Sequence, residues 1–313
     1  LDARQLRYFT QIVESGSLAK ASRQFFIAQP ALSQQMARLE EEVGRPLLLR
    51  SAQGVSPTEN GIALYHHAKF LLRQFDQAVF IARQDAAQVS GRVSVGLAPT
   101  TVCALGLPLL AHLREKYPGV VLNVVEGMSG HLEQMARSGQ LDIAVLFSQT
   151  SAAELAVEQL LEEQLYVIIP ARSDLVPRRR TSMTLREVTR IPLVLPSGGH
   201  GLRKRISMEF ERVGLSVHPV AEVDSLPLVM RSIAGGMGAT IKPMSAVFAL
   251  GGIAADWRCL SISDASMQRQ NFLYTLPAER LSLSAAVVRD ELKEVVRQLV
   301  QGGQWQGVKL AFR

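Results

Sequence analysis

The side chains with the most chemistry to offer in this sequence form no catalytic set. They are hydrogen-bonding groups gathered in one short stretch, where Gln29, Ser33, Gln34 and Arg38 follow one another around Pro30. On a helix advancing about 100° per residue these groups fall on or beside one face. An amide pairs well with adenine, a guanidinium with guanine and a hydroxyl with several acceptors, so such a face can read base edges in the major groove of double-stranded DNA. A polar helix face is more often simply solvated, and it is the surrounding elements that shift the reading towards DNA.

Ser17 can N-cap a helix that carries Leu18, Ala21, Ser22 and Phe25 on one side, closed by the turn Phe26-Ile27-Ala28. Pro30, with its fixed φ and missing N–H, suits the first position of the next helix. There Leu32, Met36, Leu39 and Val43 recur at spacings of four, three and four, which predicts a single buried stripe. An earlier helix with Leu6, Phe9 and Val13, stopped by Gly16, completes a three-helix core. Gly44 to Arg50 and Gln53 to Val55 then read as two short strands around a turn. Arg45 and Arg50 are placed there to meet phosphate, contacts that orient a domain without reading sequence.

Taken together, residues 1 to about 88 resemble the DNA-binding part of the LysR family of bacterial transcriptional regulators. The resemblance rests on Leu6 and Phe9, Gly16-Ser17-Leu18, Ala21-Ser22, Gln29-Pro30-Ala31-Leu32-Ser33, Leu39-Glu40, Arg50 and Thr58-Glu59. It implies a winged helix-turn-helix in which Gln29, Pro30, Ser33, Gln34 and Arg38 contact DNA and Arg50 meets the backbone. Ser51-Ala52-Gln53 departs from the more basic wing common in the family, which implies weaker phosphate contact there. Gly96-Leu97-Ala98-Pro99 and the stretch Gly139 to Leu146 resemble the nitrogen assimilation control branch.

The formal charge of +6 over 313 residues agrees with a polyanionic partner. Residues 1–58 hold seven Lys/Arg against five Asp/Glu, a net of only +2, so binding should depend on placed contacts and dimerisation rather than on a broad basic field. No unbroken apolar run of about 18 residues and no signal-peptide pattern occurs, which predicts a cytoplasmic protein with no membrane partner. Cys103 and Cys259 stand far apart, and the histidines are scattered or, at His66-His67, adjacent on one helix. No disulfide, metal site or cofactor is expected.

Ser56-Pro57-Thr58-Glu59 fits a capping box with Pro at the first helical position, and it predicts a helix over about 58 to 88, roughly 45 Å long. Leu64, Ala68, Leu71, Phe75, Ala78 and Ala82 alternate spacings of four and three, a coiled-coil seam. Packing against its own domain is the alternative. The seam favours a dimer that holds two recognition helices about one DNA turn apart. The expected domains are therefore 1–58, a winged helix-turn-helix; 59–90, a linker helix and hinge; and 91–313, a regulatory domain.

From Arg92 the pattern alternates strands and helices. Strands at 93–97, 120–125 and 142–147, with helices near 101–115 and 130–138, predict a parallel sheet. A second unit starts at Leu165-Tyr166-Val167-Ile168-Ile169-Pro170. Asn271 to Thr275 and a helix at 284–301 return to the first, giving lobe I (about 91–162 and 268–313) and lobe II (about 163–267). This region resembles the LysR effector domain, similar in fold to periplasmic binding proteins. The fold class expected is α/β with an all-α N-terminal part.

Ligands in open α/β sheets bind beyond the carboxyl ends of strands, near helix N-termini. Thr100, Thr101, Ser129, Ser197 and Gly198 occupy such turns and together could hold a carboxylate, with Phe147, Ser148, Ser225 and Ile241 as walls. Each hydroxyl taken alone is as well explained as a helix cap. The expected function is a sequence-specific regulator, a homodimer or homotetramer tuned by a small anionic effector and acting on RNA polymerase. The alternatives are a small-molecule-acting α/β enzyme or a solute-binding protein with an N-terminal oligomerisation module. The sequence offers the enzyme no nucleophile elbow, metal cluster or placed acid–base pair, and Ser197-Gly198-Gly199-His200-Gly201 is not a complete nucleotide-binding motif.

Overall fold

Helix α1 (Ala3–Ser15) begins in a capping box, with the Asp2 carboxylate accepting from the Gln5 N–H and the Gln5 amide oxygen from the Asp2 N–H, and it stops at Gly16 in the left-handed region. Ser17 caps α2 (Leu18–Gln24) through the Lys20 N–H. The turn that follows passes through Phe26 at φ 55°, an unusual conformation for a residue with a Cβ. Helix α3 (Gln29–Val43) ends at left-handed Gly44. Phe9, Ile12, Ala21, Leu32, Met36 and Leu39 pack into one core. Val43, expected at the end of the stripe, is exposed along with Gly44, Arg45 and Pro46, because the last turn of α3 overhangs that core.

The computed structural model describes residues 1–51, 54–82, 89–149, 155–251 and 254–312. The wing is an antiparallel hairpin of β1 (Leu48–Ser51) and β2 (Gly54–Pro57); its tip, Ala52-Gln53, lies outside the described residues. Two devices fix it to the helices. The Val55 N–H donates to the Gly16 carbonyl at 2.9 Å, and one Glu40 carboxylate oxygen accepts from the backbone of both Leu47 (2.7 Å) and Leu48 (3.0 Å). Gly54 has to be glycine, since a Cβ would stand 2.6 Å from the Gly16 oxygen.

Helix α4 (Glu59–Ala82) starts two residues later than the expected capping box. Ser56 and Pro57 complete the hairpin, so Thr58 takes over the cap, accepting from the Gly61 N–H at 2.9 Å and donating to the Pro46 carbonyl at 2.8 Å. The first half of the expected dimer seam is spent within the chain. Ala68 is fully buried with Leu6 and Leu72, and Leu64 and Leu71 pack on the same cluster. Glu14 of α1 accepts from Tyr65 (3.0 Å) and Lys69 (2.6 Å). Phe75 and Ala78 are exposed. The surroundings of Ala82 and residues 83–88 lie outside what is described.

Beyond the linker run β3 (Gly91–Leu97), α5 (Pro99–Thr101), a π-helical turn Val102–Gly106, α6 (Leu107–Lys116), β4 (Val120–Glu126), α7 (Ser129–Arg137), β5 (Ile143–Leu146) and β6 (Ala156–Pro170). Then follow β7 (Ser182–Met183), α8 (Leu185–Val188), β8 (Val194–Leu195), α9 (Gly201–Arg212), β9 (Ala221–Glu222), α10 (Leu226–Ala234), β10 (Thr240–Pro243), β11 (Trp257–Ile262), β12 (Gln268–Thr275), α11 (Leu283–Gln301) and β13 (Val308–Leu310). Strand order is β4-β3-β5-β12-β6-β11-β7, with β10 and β13 also on β6.

Strand β6 joins the two lobes. It pairs with β12 as far as Gln164, and with β10 and β11 from Leu165 onward. The chain returns between β11 and β12. The expected parallel arrangement holds for β4-β3-β5, but β10, β11, β12 and β13 all run antiparallel to β6, so the sheet is mixed. The first half of β6, not expected as strand, carries Glu158, Glu162 and Glu163 where an apolar run would have signalled one. Val95, Leu105, Leu109 and Leu292 belong to the core of one lobe, and Leu165, Val167, Phe210 and Ile241 to that of the other. Among the described residues, no helix is long and apolar enough to cross a membrane.

Candidate functional site

Two surfaces carry the residues singled out by sequence. On α3, Gln29, Pro30, Gln34 and Arg38 are exposed and Ser33 is half-buried. Because Ala28 is the N-cap, Pro30 stands second in the helix rather than first. Arg50 reaches from β1 to donate to the Ser33 Oγ at 2.9 Å, which brings a wing cation and the first turn of α3 onto one continuous face. Leu32, Met36 and Leu39 turn inward and anchor that face. Its exposed amide and guanidinium groups have no competing role in the core.

The second surface is the cleft between the lobes. An outer chamber of about 760 Å³ joins a small inner pocket of about 30 Å³, and Met128, Ser129, Phe147, His200, Leu202 and Arg269 line both. Of the residues expected here, Ser129 and Phe147 line both spaces, Ser148 the outer and Thr100 the inner. The remaining expected residues stand elsewhere. Ile241 is fully buried in the core of lobe II, since its alternate neighbour on β10 is the one that faces the cleft. Ser197 is bound through both N–H and Oγ to Asp224, at 3.0 and 2.9 Å. Gly198 and Ser225 do not line either space, and Thr101 is fully buried with its hydroxyl unpartnered.

The buried charges of the cleft come from strands far apart in the sequence. Arg269 is buried at the start of β12; its Nε donates to Glu163 at 2.8 Å and its terminal nitrogen to Thr100 at 2.7 Å, while the guanidinium lies 3.7 Å from the centre of the Phe147 ring. Glu163 also accepts from Asn271 (3.0 Å) and from the Trp305 indole (3.1 Å). Arg269 is thus a neutralised structural cation. Burial lowers its pKa, and Glu163 opposes the shift.

Lys242 on β10 differs. It is 6% exposed, lines the inner pocket and makes no hydrogen bond or ion pair among the described residues. Burial, aided by Arg269 and opposed by Asp224, brings its pKa down to about 8. His200 caps α9 by accepting the Leu202 N–H on Nδ1, and burial followed by the Lys242 charge lowers its pKa. Asp224 is kept ionised chiefly by the Ser197 N–H. A lysine inside the apolar run Ala239-Thr240-Ile241, just before Pro243, was the available signal for this site.

Outside the cleft, burial pushes the thiols of Cys103 and Cys259 up to about 11, away from reactivity. Arg180, of the run Arg178-Arg179-Arg180, is bound to both oxygens of Glu187 at 2.9 Å. No group of three or more His, Cys, Asp or Glu able to hold a metal occurs among the described residues.

Two family models match, "Bacterial regulatory helix-turn-helix protein, lysR family" over residues 3–62 and "LysR substrate binding domain" over residues 86–297. The chain is 37% identical over 301 residues to the nitrogen assimilation regulatory protein nac of Klebsiella aerogenes, covering 95% of each. To the protein of that name in Escherichia coli K12 it is 34% identical over 309 residues, covering 98% of this chain and 99% of the other. Full-length OxyR of Pseudomonas aeruginosa superposes with a TM-score of 0.72 at 22% identity over 95% of each chain. CbnR superposes at 0.69 and 18% identity, covering 94% of this chain and 99% of the other. The two family models and the nac relatives are of transcriptional regulators, which favours that reading over the enzyme and solute-binding alternatives. A helix-turn-helix domain followed by a two-lobed effector-binding domain, matched along nearly its whole length, makes this chain a member of the LysR family of bacterial transcriptional regulators.

Proposed function

We propose that the protein binds operator DNA sequence-specifically as a dimer paired through α4, and that a small anion in the inter-lobe cleft biases that binding. Gln29, Pro30, Ser33, Gln34 and Arg38 read or abut base edges, and Arg50 meets phosphate. The observation that carries the reading is the exposed polar face of α3, bordered by Arg50 and free of any role in the core. The dimer contact falls to the outer half of α4, where Phe75 and Ala78 stay exposed, while Leu64, Ala68 and Leu71 serve α1. An anion is favoured by Lys242, a buried cation without a partner among the described residues. The domain division 1–58, 59–90 and 91–313, cytoplasmic residence and contact with RNA polymerase complete the reading.

Selection of bound duplexes from a random pool by the purified protein tests it. Enrichment of an interrupted palindrome, with half-sites about one turn apart, is the expected result. An unenriched pool from folded protein would refute sequence-specific binding.

A further inference from the structure

The cleft holds two cations in different conditions. Arg269 is neutralised by Glu163, held by Thr100 and covered by Phe147. Lys242 is equally enclosed but makes no hydrogen bond or ion pair among the described residues, and the carboxylate that shares its pocket, Asp224, is tied to Ser197. A buried ammonium without a hydrogen-bonding partner is costly unless something supplies the missing charge. The inner pocket it lines has room for little more than a single small polar group.

The outer chamber contains the complementary feature. Glu162 lines it, half-buried, and makes no hydrogen bond or ion pair among the described residues. The other acid of the chamber, Glu133, is bridged to Arg137 at 3.0 Å; of its guanidinium groups, Arg205 is bridged to Glu209 at 3.1 Å and Arg269 to Glu163 at 2.6 Å. One free anion and one free cation therefore face connected spaces. Their separation follows from the register of β6: Glu162 lies on that strand, and Lys242 is the partner of Tyr166, four residues further along, which sets their backbones roughly 13 Å apart along the strand. Allowing about 3 Å for a charge-assisted contact at each end leaves on the order of 7 Å between the charges of a bridging molecule, wider than the gap between the two charges of an α-amino acid backbone.

The geometry points to a zwitterionic effector whose carboxylate sits on Lys242 in the inner pocket and whose ammonium, several carbons away, sits on Glu162 in the outer chamber. This rests on the effector-cleft reading above and sharpens the ligand from an anion to a charge-separated amino acid. It also gives the cleft a basis for selection, because a plain carboxylate leaves Glu162 unpaired and a plain amine leaves Lys242 unpaired.

The test uses the full-length protein and calorimetric titration with ω-amino acids of three to six carbons, each set against the carboxylate and the amine of the same chain length. One ω-amino acid should bind at least about tenfold more tightly than either of its singly charged counterparts. Lys242→Met should reduce it to the level of the amine, and Glu162→Gln to the level of the carboxylate, with a thermal melt to verify that each variant is folded. Equal binding of carboxylate and zwitterion, indifference to either substitution, or no binding by any member of the series would overturn the proposal. Duplex selection by the unaltered protein runs in parallel: an enriched operator with a failed titration refutes the zwitterion alone, whereas a failed selection refutes the regulatory reading on which it rests.

Discussion

At the residue scale, the two sites place opposite demands on their charged side chains. Those of α3 are solvated and cheap, and in the proposed function they gain value only against DNA. Replacing Gln34 by Ala should cost roughly 1–3 kcal/mol on the selected operator and little on random duplex, whereas Arg50→Ala should weaken both alike and reduce the salt slope by about one. Filter binding across salt concentrations separates the two. Lys242 instead carries a desolvation cost in the folded protein. It releases its proton near 8 when folded and near the ordinary 10.5 when unfolded, so between those values the unfolded chain binds more protons and stability rises with pH. Below about pH 8 the cost is present in full. Lys242→Met should therefore stabilise the protein at pH 7 by about 1–3 kcal/mol in urea unfolding and flatten the rise above pH 8. Arg269, Asp224 and His200 face the same pocket and remain in the variant. An anion bound at Lys242 should hold its proton, so affinity should fall as pH passes 8.

At the scale of elements, the connections between helices decide how rigidly the DNA face is presented. Glu40 alone accepts from two backbone donors at the entry to β1, which sets where Arg50 stands relative to Ser33. Glu40→Ala leaves both donors without that acceptor and should destabilise the protein by about 1–3 kcal/mol, with phosphate contact by Arg50 weakened as well. A urea titration that places the variant level with the unaltered protein would contradict this role. Helix α4 connects both parts of the molecule. Its first half rests on α1, and Phe70 packs on Gly139 of lobe I, where φ is +67° and a Cβ would stand 2.2 Å from the ring. Gln140 lies 3.0 Å from the His66 ring. The linker is thus in direct contact with the lobe that forms one wall of the cleft.

At the scale of the whole molecule, the proposed function couples the cleft to the distant face of α3, and an effector shifts such a balance only if it binds one arrangement of the lobes better than the other. The proposed pairing of two chains through α4 would supply a second coupling. Phe75→Asp places a charge at an exposed position of α4 outside the cluster that packs on α1, so it should dissociate the proposed dimer in sedimentation while the fold survives. Operator affinity should then drop by about 10²–10⁴, because two linked half-site contacts become independent. Retention of both assembly and affinity would mean that the chains pair through another surface. A charge at Leu71 is a poorer probe, since that side chain also packs against the cluster around Leu6.

The amino-acid sequence alone determined the local features. The cap at Ser17, the stop at Gly16, the Leu32-Met36-Leu39 stripe and the alternation of strands and helices all depend on neighbours a few residues away, and the period of apolar residues records them. Tertiary structure decided the rest. Whether Leu64 and Ala68 face a second chain or α1 depends on a helix more than fifty positions earlier. Glu163 interrupts the apolar pattern of β6, yet it is buried because Arg269, Asn271 and Trp305 converge on it from over a hundred residues away. Ile241 and Lys242 are neighbours, but the alternation of side chains along β10 puts one in the core and the other in the cleft. Which of the two faces a ligand was fixed only when β10 paired with β6.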